Sequence, residues 1–308
     1  MFKALTCFLL SDRWEYAGVD ALADRLARHA FRPCAPSERS VAGWVPPRGV
    51  DHAPLAESLG GQVLMTLAVE SRLLPSSAVR EHLEAKMDAL EAQTGRRPRG
   101  KARRELKEQV EHELLPRAFT RRVTIRVWLD PQARRLVVGS TSDKALDTVL
   151  GELSSAFDGG LPLVPLATQL SPSAAMSSWL LEHEAPAGFS IDRDCELRRP
   201  DDSRATVRYV RHALDDDGVA EHVRQGKVPV QLAMTWGGRV SFVLTDTLRV
   251  RRVKFLDLEV EGSSPEGAAS REDSFDADAA LATGELAQLL GDLIEALGGL
   301  VPDEGAPF

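Results

Sequence analysis

The stretch RRVTIRVWLD, Arg121–Asp130, is where the hydrophobic pattern of this chain changes its period. Every second residue from Val123 to Leu129 is apolar. The residues between them are Arg122, Thr124, Arg126 and Trp128. Alternation with a period of two is typical of a β-strand that buries one face. The stretch therefore predicts a half-buried strand with a cationic outer face.

A helical pattern precedes this strand. Apolar residues recur every three or four positions over residues 79–90 and again over residues 106–114. Gly95 and Gly100 interrupt the pattern, and Pro116 ends it. The spacing predicts two helices joined by a short loop, which together form a helical hairpin.

The rest of the chain mixes the two periods. Strands are predicted at residues 2–10, 62–69, 135–140, 205–211, 228–235, 239–245 and 248–256, and helices at residues 20–30, 142–157 and 283–297. Gly237-Gly238 predicts a hairpin turn, and the acidic segment Asp257–Asp278 predicts an exposed loop. These elements indicate an α+β fold. We divide it into an N-terminal α/β region (residues 1–75), the hairpin with its following strands and helix (76–160), and a C-terminal α/β region with a terminal helix (161–308).

Composition narrows the class of protein. The chain has 308 residues, of which 43% are hydrophobic and 27% charged, as in soluble globular proteins. It has no apolar run of the roughly 18 residues needed to span a bilayer, so we expect a cytoplasmic protein. Cys7, Cys34 and Cys195 are odd in number and far apart, which favours reduced, buried thiols over a disulfide or metal site.

Positive charge is concentrated although the chain carries a net charge of -8. The stretch GRRPRGKARRELKEQ, Gly95–Gln109, holds seven cations and two acids. More cations lie at residues 117–126, 204–212 and 249–254, whereas Arg271 is the sole cation from Asp257 onward. This segregation predicts a positive lining and a negative exterior, which suits a polyanion such as DNA. The simpler interpretation, that the hairpin cations merely face water, stays open.

Catalytic motifs are not found in the sequence. It has no Walker A loop, no HExxH and no GxSxG, so we expect no enzymatic activity and no cofactor or metal. The acidic runs Asp192–Asp194 and Asp215–Asp217 could hold a metal in a nuclease. We interpret them more simply as acids of turns and helix caps.

Six stretches, in order along the chain, carry a resemblance to a known family. They are GWVPPRG at Gly43, LPSSAVREHLEAKMDALE at Leu74, ELLPRAFTRR at Glu113, LPLVPLA at Leu161, RQGKVPVQLAMTW at Arg224 and FDADAALATGELAQLLGDLIEALGG at Phe275. They resemble the RdgC recombination-associated proteins, which are bacterial nucleoid-associated DNA-binding proteins. The resemblance covers essentially the whole chain.

The resemblance implies an elongated, horseshoe-like protomer with mixed or antiparallel sheets and a projecting helical hairpin. Two protomers would close into a ring-shaped homodimer through two different self-interfaces. The ring would encircle double-stranded DNA with little sequence preference, associate with the nucleoid and limit RecA-dependent recombination. Two alternatives remain: a metal-dependent DNA-processing enzyme, and an adaptor that contacts RecA without DNA.

The resemblance also assigns residues. Phe119, in LLPRAF, corresponds to a phenylalanine that fills an apolar pocket of the partner protomer, although a plain core phenylalanine is the simpler interpretation. Arg211 and His212 stand where relatives usually carry a Lys-Gln pair; Arg211 keeps the charge, and His212 departs from the pattern. The predicted DNA-binding residues are Arg97, Arg99, Lys101, Arg117, Arg208, Arg211 and His212.

Overall fold

The computed structural model describes residues 2–12, 14–157, 160–215, 217–256 and 271–301, and only the backbone of residues 271–274. Its helices are α1 (Val19–Ala27), α2 (Ser76–Thr94), α3 (Gly100–Leu114), α4 (Asp143–Ala156), α5 (Pro172–Glu182), α6 (Asp217–Arg224) and α7 (Arg271–Ala296), with a 3-10 turn at Leu115–Arg117. Its strands are β1 (Ala4–Leu10), β2 (Ser40–Val45), β3 (Ala56–Leu59), β4 (Gln62–Arg72), β5 (Thr120–Asp130), β6 (Arg135–Val138), β7 (Leu163–Pro165), β8 (Phe189–Arg198), β9 (Thr206–Tyr209), β10 (Val228–Trp236), β11 (Val240–Thr245) and β12 (Val250–Phe255).

The strands form one antiparallel sheet in the order β2-β4-β5-β6-β1-β12-β11-β10-β8-β9, with β3 added beside β4 and β7 beside β1. β1 joins the early and late strands. Its first residues, Ala4 and Leu5, pair with β12, and Thr6 to Leu9 pair with β6. The predicted α+β class is confirmed, and all pairings between the described strands are antiparallel.

Helices cover both faces of the sheet, but unequally. On one face, apolar side chains of α5, α6 and α7 pack against strands from both halves, in a core that includes Leu5, Trp128 and Leu232. On the other face, α1 and α4 pack against the early strands around Val127 and Leu136. Burial of apolar side chains of this kind is the main favourable contribution to folding, at about 25 cal/mol per Å² of apolar surface removed from water. On the second face of the late strands, Arg208, Arg251 and Arg252 are exposed, whereas Ala233 and Val243 in the central strands are buried.

The predicted helical hairpin is confirmed as α2 and α3. Gly95 ends α2 in the left-handed region, with φ 69°, where glycine has no steric penalty. Leu83, Met87 and Leu106 form a small core between the two helices, separate from the two main cores. Because this core is so small, the stability of the hairpin depends on contacts where it joins the sheet.

The predicted strand at Arg121–Asp130 is confirmed as part of β5, but its outer face is not cationic throughout. Trp128, which was expected on that outer face, is buried to 1% exposure. It packs against Phe2 in the larger core, with ring centroids 5.6 Å apart. Both faces of the second half of β5 are therefore covered, and the cationic face is confined to its first residues.

Two further predictions were wrong in part. The expected loop at Asp257–Asp278 falls outside the described residues up to residue 270, but from Arg271 the chain is helical. Phe275 packs on the larger core and Ala279 is buried, so the apolar stripe of α7 begins earlier than expected. Asp192 and Asp194 are not turn or cap acids, since they lie within β8; Asp217, by contrast, begins α6.

The cysteine prediction is confirmed: Cys7, Cys34 and Cys195 are free and buried. Burial raises the pKa of both Cys7 and Cys195 to about 12. No helix in the described part of the chain is both long and apolar enough to cross a membrane.

Candidate nucleic-acid interface

Arginines from distant parts of the sequence share the second face of the late strands. Cys195, Leu197 and Leu232 point from this part of the sheet into the core. Because side chains alternate along a strand, their neighbours point to the opposite face. We call this opposite face the arginine face, and it carries Asp194, Glu196, Arg198, Arg208, Gln231, Arg251 and Arg252, with the main chain of Arg211 beside Asp194.

Asp194 connects the two sequence groups of cations. Its carboxylate accepts a hydrogen bond of 2.9 Å from the main-chain nitrogen of Arg211, and lies 3.6 Å from Nη1 of Arg252. Arg252 belongs to β12, and Arg211 follows β9 at the far edge of the sheet. Arg208 lies directly opposite Glu196 in the β8–β9 pairing. The tertiary structure thus brings residues 208–211 and 252 to one surface.

Backbone irregularities shape this surface. Between Ile191 and Cys195, β8 advances four residues while β10 advances two, which is a β-bulge at the Asp192–Asp194 run. Between Arg251 and Lys254, β12 advances three residues while β11 advances two. Bulges re-aim side chains, so the positions of the arginines depend on local departures from the regular sheet.

A second group of cations extends the arginine face toward α4. Arg198, Arg249 and Arg251 line an open pocket of roughly 360 Å³ together with Thr141, Ser142, Thr245 and Thr247. Arg249 donates to Asp143 and to the carbonyl of Thr141 at 2.8 Å, so it is fixed at the start of α4. Arg198 pairs with Glu196 at 2.9 Å, whereas Arg251 is exposed.

His212 is exposed beside this face. Its ring nitrogen Nδ1 lies 2.6 Å from the carbonyl of Ala213, and its ring centroid lies 5.4 Å from that of Tyr209. Its main-chain nitrogen donates to the carbonyl of Arg193 at 3.0 Å. These contacts hold the ring of His212 beside Tyr209 and its main chain against β8.

The hairpin cations divide into engaged and exposed groups. Arg97 donates to Asp88, Glu91 and Glu84, all on α2, and these hydrogen bonds raise its pKa further, Asp88 contributing most. Arg97 thus connects the loop to α2 through three ion pairs. Lys101 pairs with Glu105 at 3.6 Å and stays largely exposed.

Arg99 and its neighbours form the exposed group. The other exposed cations at the hairpin tip are Arg96, Lys101, Arg103 and Arg104. Arg99 itself has no ion pair within the described residues. It immediately precedes α3 on extended backbone, with φ -134°.

Phe119 and Arg117 lie where the hairpin returns to the sheet. Phe119 is 86% exposed, so it is not a core residue. Leu73 and Val123, also exposed, lie on the same side of the β4–β5 pair, because the β-register places Leu73 opposite Phe119. Arg117, two residues before Phe119, is exposed. Nothing in the described structure places Arg117 or the hairpin tip on the arginine face.

Two acids of the first acidic run, Asp192 and Asp194, accept hydrogen bonds from protein donors. Asp192 accepts hydrogen bonds from the Thr235 hydroxyl at 3.0 and 3.1 Å. Burial raises the pKa of Asp192, and the nearby Asp194 carboxylate raises it further. Within the described ranges, no three His, Cys, Asp or Glu side chains form a group that could hold a metal ion.

Sequence reasoning missed three parts of this surface. Arg198 and Glu196 lie on β8, a strand that the pattern did not reveal because polar residues alternate with buried ones only in its second half. The sequence predicts for Asp194 only the role of a metal ligand or of a turn or cap acid. A carboxylate between arginines in a strand was the available signal, but its pairing partners lie too far along the chain to be read from the sequence.

The fold and its exposed cations define a class: an α+β protein with a surface suited to a polyanion. A family model described as "Putative exonuclease, RdgC" matches residues 1–300. The chain is 46% identical to the "Recombination-associated protein RdgC" of Cupriavidus pinatubonensis, over 97% of this chain and 98% of that one. It is 44% identical to the proteins of the same name from Bordetella parapertussis and Dechloromonas aromatica, with the same coverage. The chain belongs to the RdgC family of recombination-associated proteins.

Proposed function

We propose that this protein is a non-enzymatic, sequence-nonspecific binder of double-stranded DNA that acts as a ring-shaped homodimer. Two horseshoe-like protomers would surround the duplex, with their arginine faces lining the hole. By occupying the duplex at the nucleoid, the ring would limit RecA-dependent recombination. The names of the relatives, which associate them with recombination, support this proposal.

The observation that carries the proposal is the arginine face. Arg208, Arg251 and Arg252 are exposed on this face, with the main chain of Arg211 beside them, in a chain whose net charge is -8. Arginine binds phosphate oxygens through two parallel N–H donors, which makes it well suited to a DNA backbone. Phosphate contacts position a protein on DNA but carry no base information, so the surface favours nonspecific binding.

The exposed Phe119 supports the self-association. A phenylalanine that is 86% exposed, with Leu73 and Val123 beside it, forms an apolar patch that a second copy could cover. In this arrangement Phe119 would anchor one of the two self-interfaces. Burial of one aromatic side chain at the centre of an interface commonly contributes a large share of its affinity.

A salt titration of DNA binding tests the proposal. If about six phosphates are neutralised, log K should fall with log salt at a slope of about −5. Arg208→Glu and Arg252→Glu should each weaken DNA binding, and each by the same factor for unrelated DNA sequences. Arg224→Glu is the matched control, because this exposed arginine lies on α6, which packs on the opposite face of the sheet. A flat salt response, or equal losses in all three variants, would contradict the proposal.

Two assays separate the alternatives. Supercoiled plasmid incubated with the protein and Mg²⁺ or Mn²⁺ should stay intact; nicking that disappears in Asp192→Asn and Asp194→Asn would favour a DNA-processing enzyme. Binding of RecA to the protein in the absence of DNA would favour the adaptor. The hydrogen bonds that already occupy Asp192 and Asp194 support the non-enzymatic proposal.

A further inference from the structure

Asp194 is an acid placed within the arginine face. A carboxylate there repels DNA phosphate, so on charge alone it would weaken the binding proposed above. Its two carboxylate oxygens nevertheless contact two arginines. Oδ1 accepts the Arg211 main-chain N–H at 2.9 Å, and Oδ2 lies 3.6 Å from the guanidinium of Arg252.

The backbone of both arginines is unusual. Arg211 has φ 53° and Arg252 has φ 54°, in the left-handed region that side chains with a Cβ disfavour. Such a conformation persists where surrounding contacts determine it, and it is found often at binding sites. The Asp194 carboxylate is a contact of this kind for each of the two residues.

The position of Asp194 explains how it holds Arg211. The β8–β9 ladder ends with Cys195 paired to Tyr209. Beyond that point the main chain of Arg211 bonds to the Asp194 side chain, and the next amide, that of His212, bonds to the carbonyl of Arg193 at 3.0 Å. The carboxylate thus replaces a ladder acceptor at the β8 bulge, and keeps residues 210–212 against the sheet.

We propose that Asp194 is a positioning residue for DNA binding. It fixes the main chain of Arg211 and the guanidinium of Arg252 so that both present their charge from a defined surface, and it does not contact the nucleic acid. The DNA half of this inference rests on the proposed function; the half that concerns the main chain of residues 210–212 does not.

Two variants of Asp194 distinguish a positioning role from an effect of its charge alone. Asp194→Asn keeps an oxygen that accepts the Arg211 N–H but removes the charge and the Arg252 ion pair. Asp194→Ala removes the same charge together with the acceptor. Positioning predicts that Asp194→Ala binds a random-sequence duplex about tenfold more weakly than Asp194→Asn, the order expected for one lost hydrogen bond. If Asp194 acts only through its charge, the two variants bind equally, and both bind more tightly than wild type; that result would overturn the proposal.

Glu196 provides the matched control. Its carboxylate accepts from the side chain of Arg198 at 2.9 Å and from no main-chain amide within the described structure. Glu196→Gln and Glu196→Ala should therefore bind DNA equally, within about twofold. A difference as large as that between the Asp194 variants would mean that any truncation on this face disturbs it, which contradicts a specific role for Asp194.

Hydrogen–deuterium exchange of the DNA-free protein gives a separate readout. Amides in residues 210–212 should exchange about tenfold faster in Asp194→Ala than in wild type, and Asp194→Asn should restore protection. Unchanged exchange in Asp194→Ala would overturn the positioning role. If wild type binds no DNA, the proposed function fails, whereas the exchange rates still decide whether Asp194 holds this segment. Both variants should fold, because the Asp194 side chain is 37% exposed.

Discussion

The main-chain nitrogen of Leu73 donates a hydrogen bond of 2.7 Å to the carbonyl oxygen of Phe119. This bond extends the β4–β5 pairing one residue beyond Arg72 and Thr120. Phe119 is thus fixed at the end of the sheet by its main chain, while its side chain remains 86% exposed. A side chain so exposed contributes little to the stability of its own protomer.

Phe119→Ala should therefore weaken self-association without unfolding the protomer. Burying a phenylalanine is worth about 2–3 kcal/mol, so the dimer dissociation constant should rise at least about thirtyfold. Sedimentation velocity over a concentration series measures this constant. Phe242→Ala is the matched control: Phe242 is 2% exposed in the core, and its loss should cost about 3–5 kcal/mol of unfolding free energy. Unfolding of Phe119→Ala would instead identify Phe119 as a core residue.

Arg72 fixes the base of the hairpin. Its guanidinium donates to the carbonyls of Cys34, Ala35, Leu115, Pro116 and Ala118, at 3.1 to 3.4 Å. The last three lie at the end of α3 and the 3-10 turn, where helix carbonyls lack intrahelical partners.

Arg72→Met should lower the free energy of unfolding by about 2 kcal/mol, because it leaves several of these carbonyls without a donor. It should also speed proteolysis at residues 115–119. Urea denaturation and limited proteolysis measure the two effects. Arg39→Ala is the control, since in the described structure the side chain of Arg39 joins α3 through one exposed ion pair with Glu111, worth about 0–1 kcal/mol. Equal effects of the two variants would contradict a special role for Arg72.

Arg97 and Arg99 should behave differently although they lie two residues apart. Arg97→Ala removes a clamp on three carboxylates of α2, so it should loosen the hairpin tip, as measured by faster hydrogen exchange in residues 94–100. Arg99→Ala should leave exchange unchanged, because Arg99 is exposed and unpaired in the described structure. If the hairpin tip contacts DNA, Arg99→Glu should weaken binding and lower the salt slope by about one.

Acid should loosen the loop at residues 34–38. Hydrogen bonds from Arg32 and from the Ala35 amide lower the pKa of Glu38 from 4.5 to about 2. The Cys34 amide and Arg122 likewise lower the pKa of Glu70. Because the pKa of Glu38 is lower in the folded state, its stabilising contribution is complete above about pH 4.5 and is lost as the pH falls toward about 2. The contribution of Glu70 is also lost as the pH falls.

The measurement is the unfolding midpoint in urea at neutral pH and at about pH 3. Glu38→Gln should show a smaller difference between the two midpoints than wild type, because the amide does not titrate in this range. An unchanged difference would show that Glu38 makes no contribution to the acid sensitivity.

Local patterns in the sequence were sufficient for much of the fold. The change from a period of 3.6 to a period of 2 before Arg121 predicted the hairpin and β5, and Gly237-Gly238 predicted the β10–β11 turn, where φ is 56° and 68°. Both depend on contacts between residues close in sequence. The burial of Trp128 and the start of α7 were predicted wrongly. Both depend on packing against residues that are far away along the chain.

The sequence by itself determined the secondary structure of the hairpin, the unequal distribution of charge and the family. Which cations are available was decided by the tertiary structure, because a carboxylate neutralises an arginine only across a short distance. Arg97 lies among three acids of α2, whereas Arg252 shares one acid, Asp194, with the main chain of Arg211, which follows β9 on the far side of β8. Composition is a sum over residues, but the field of a surface depends on where the fold places each charge.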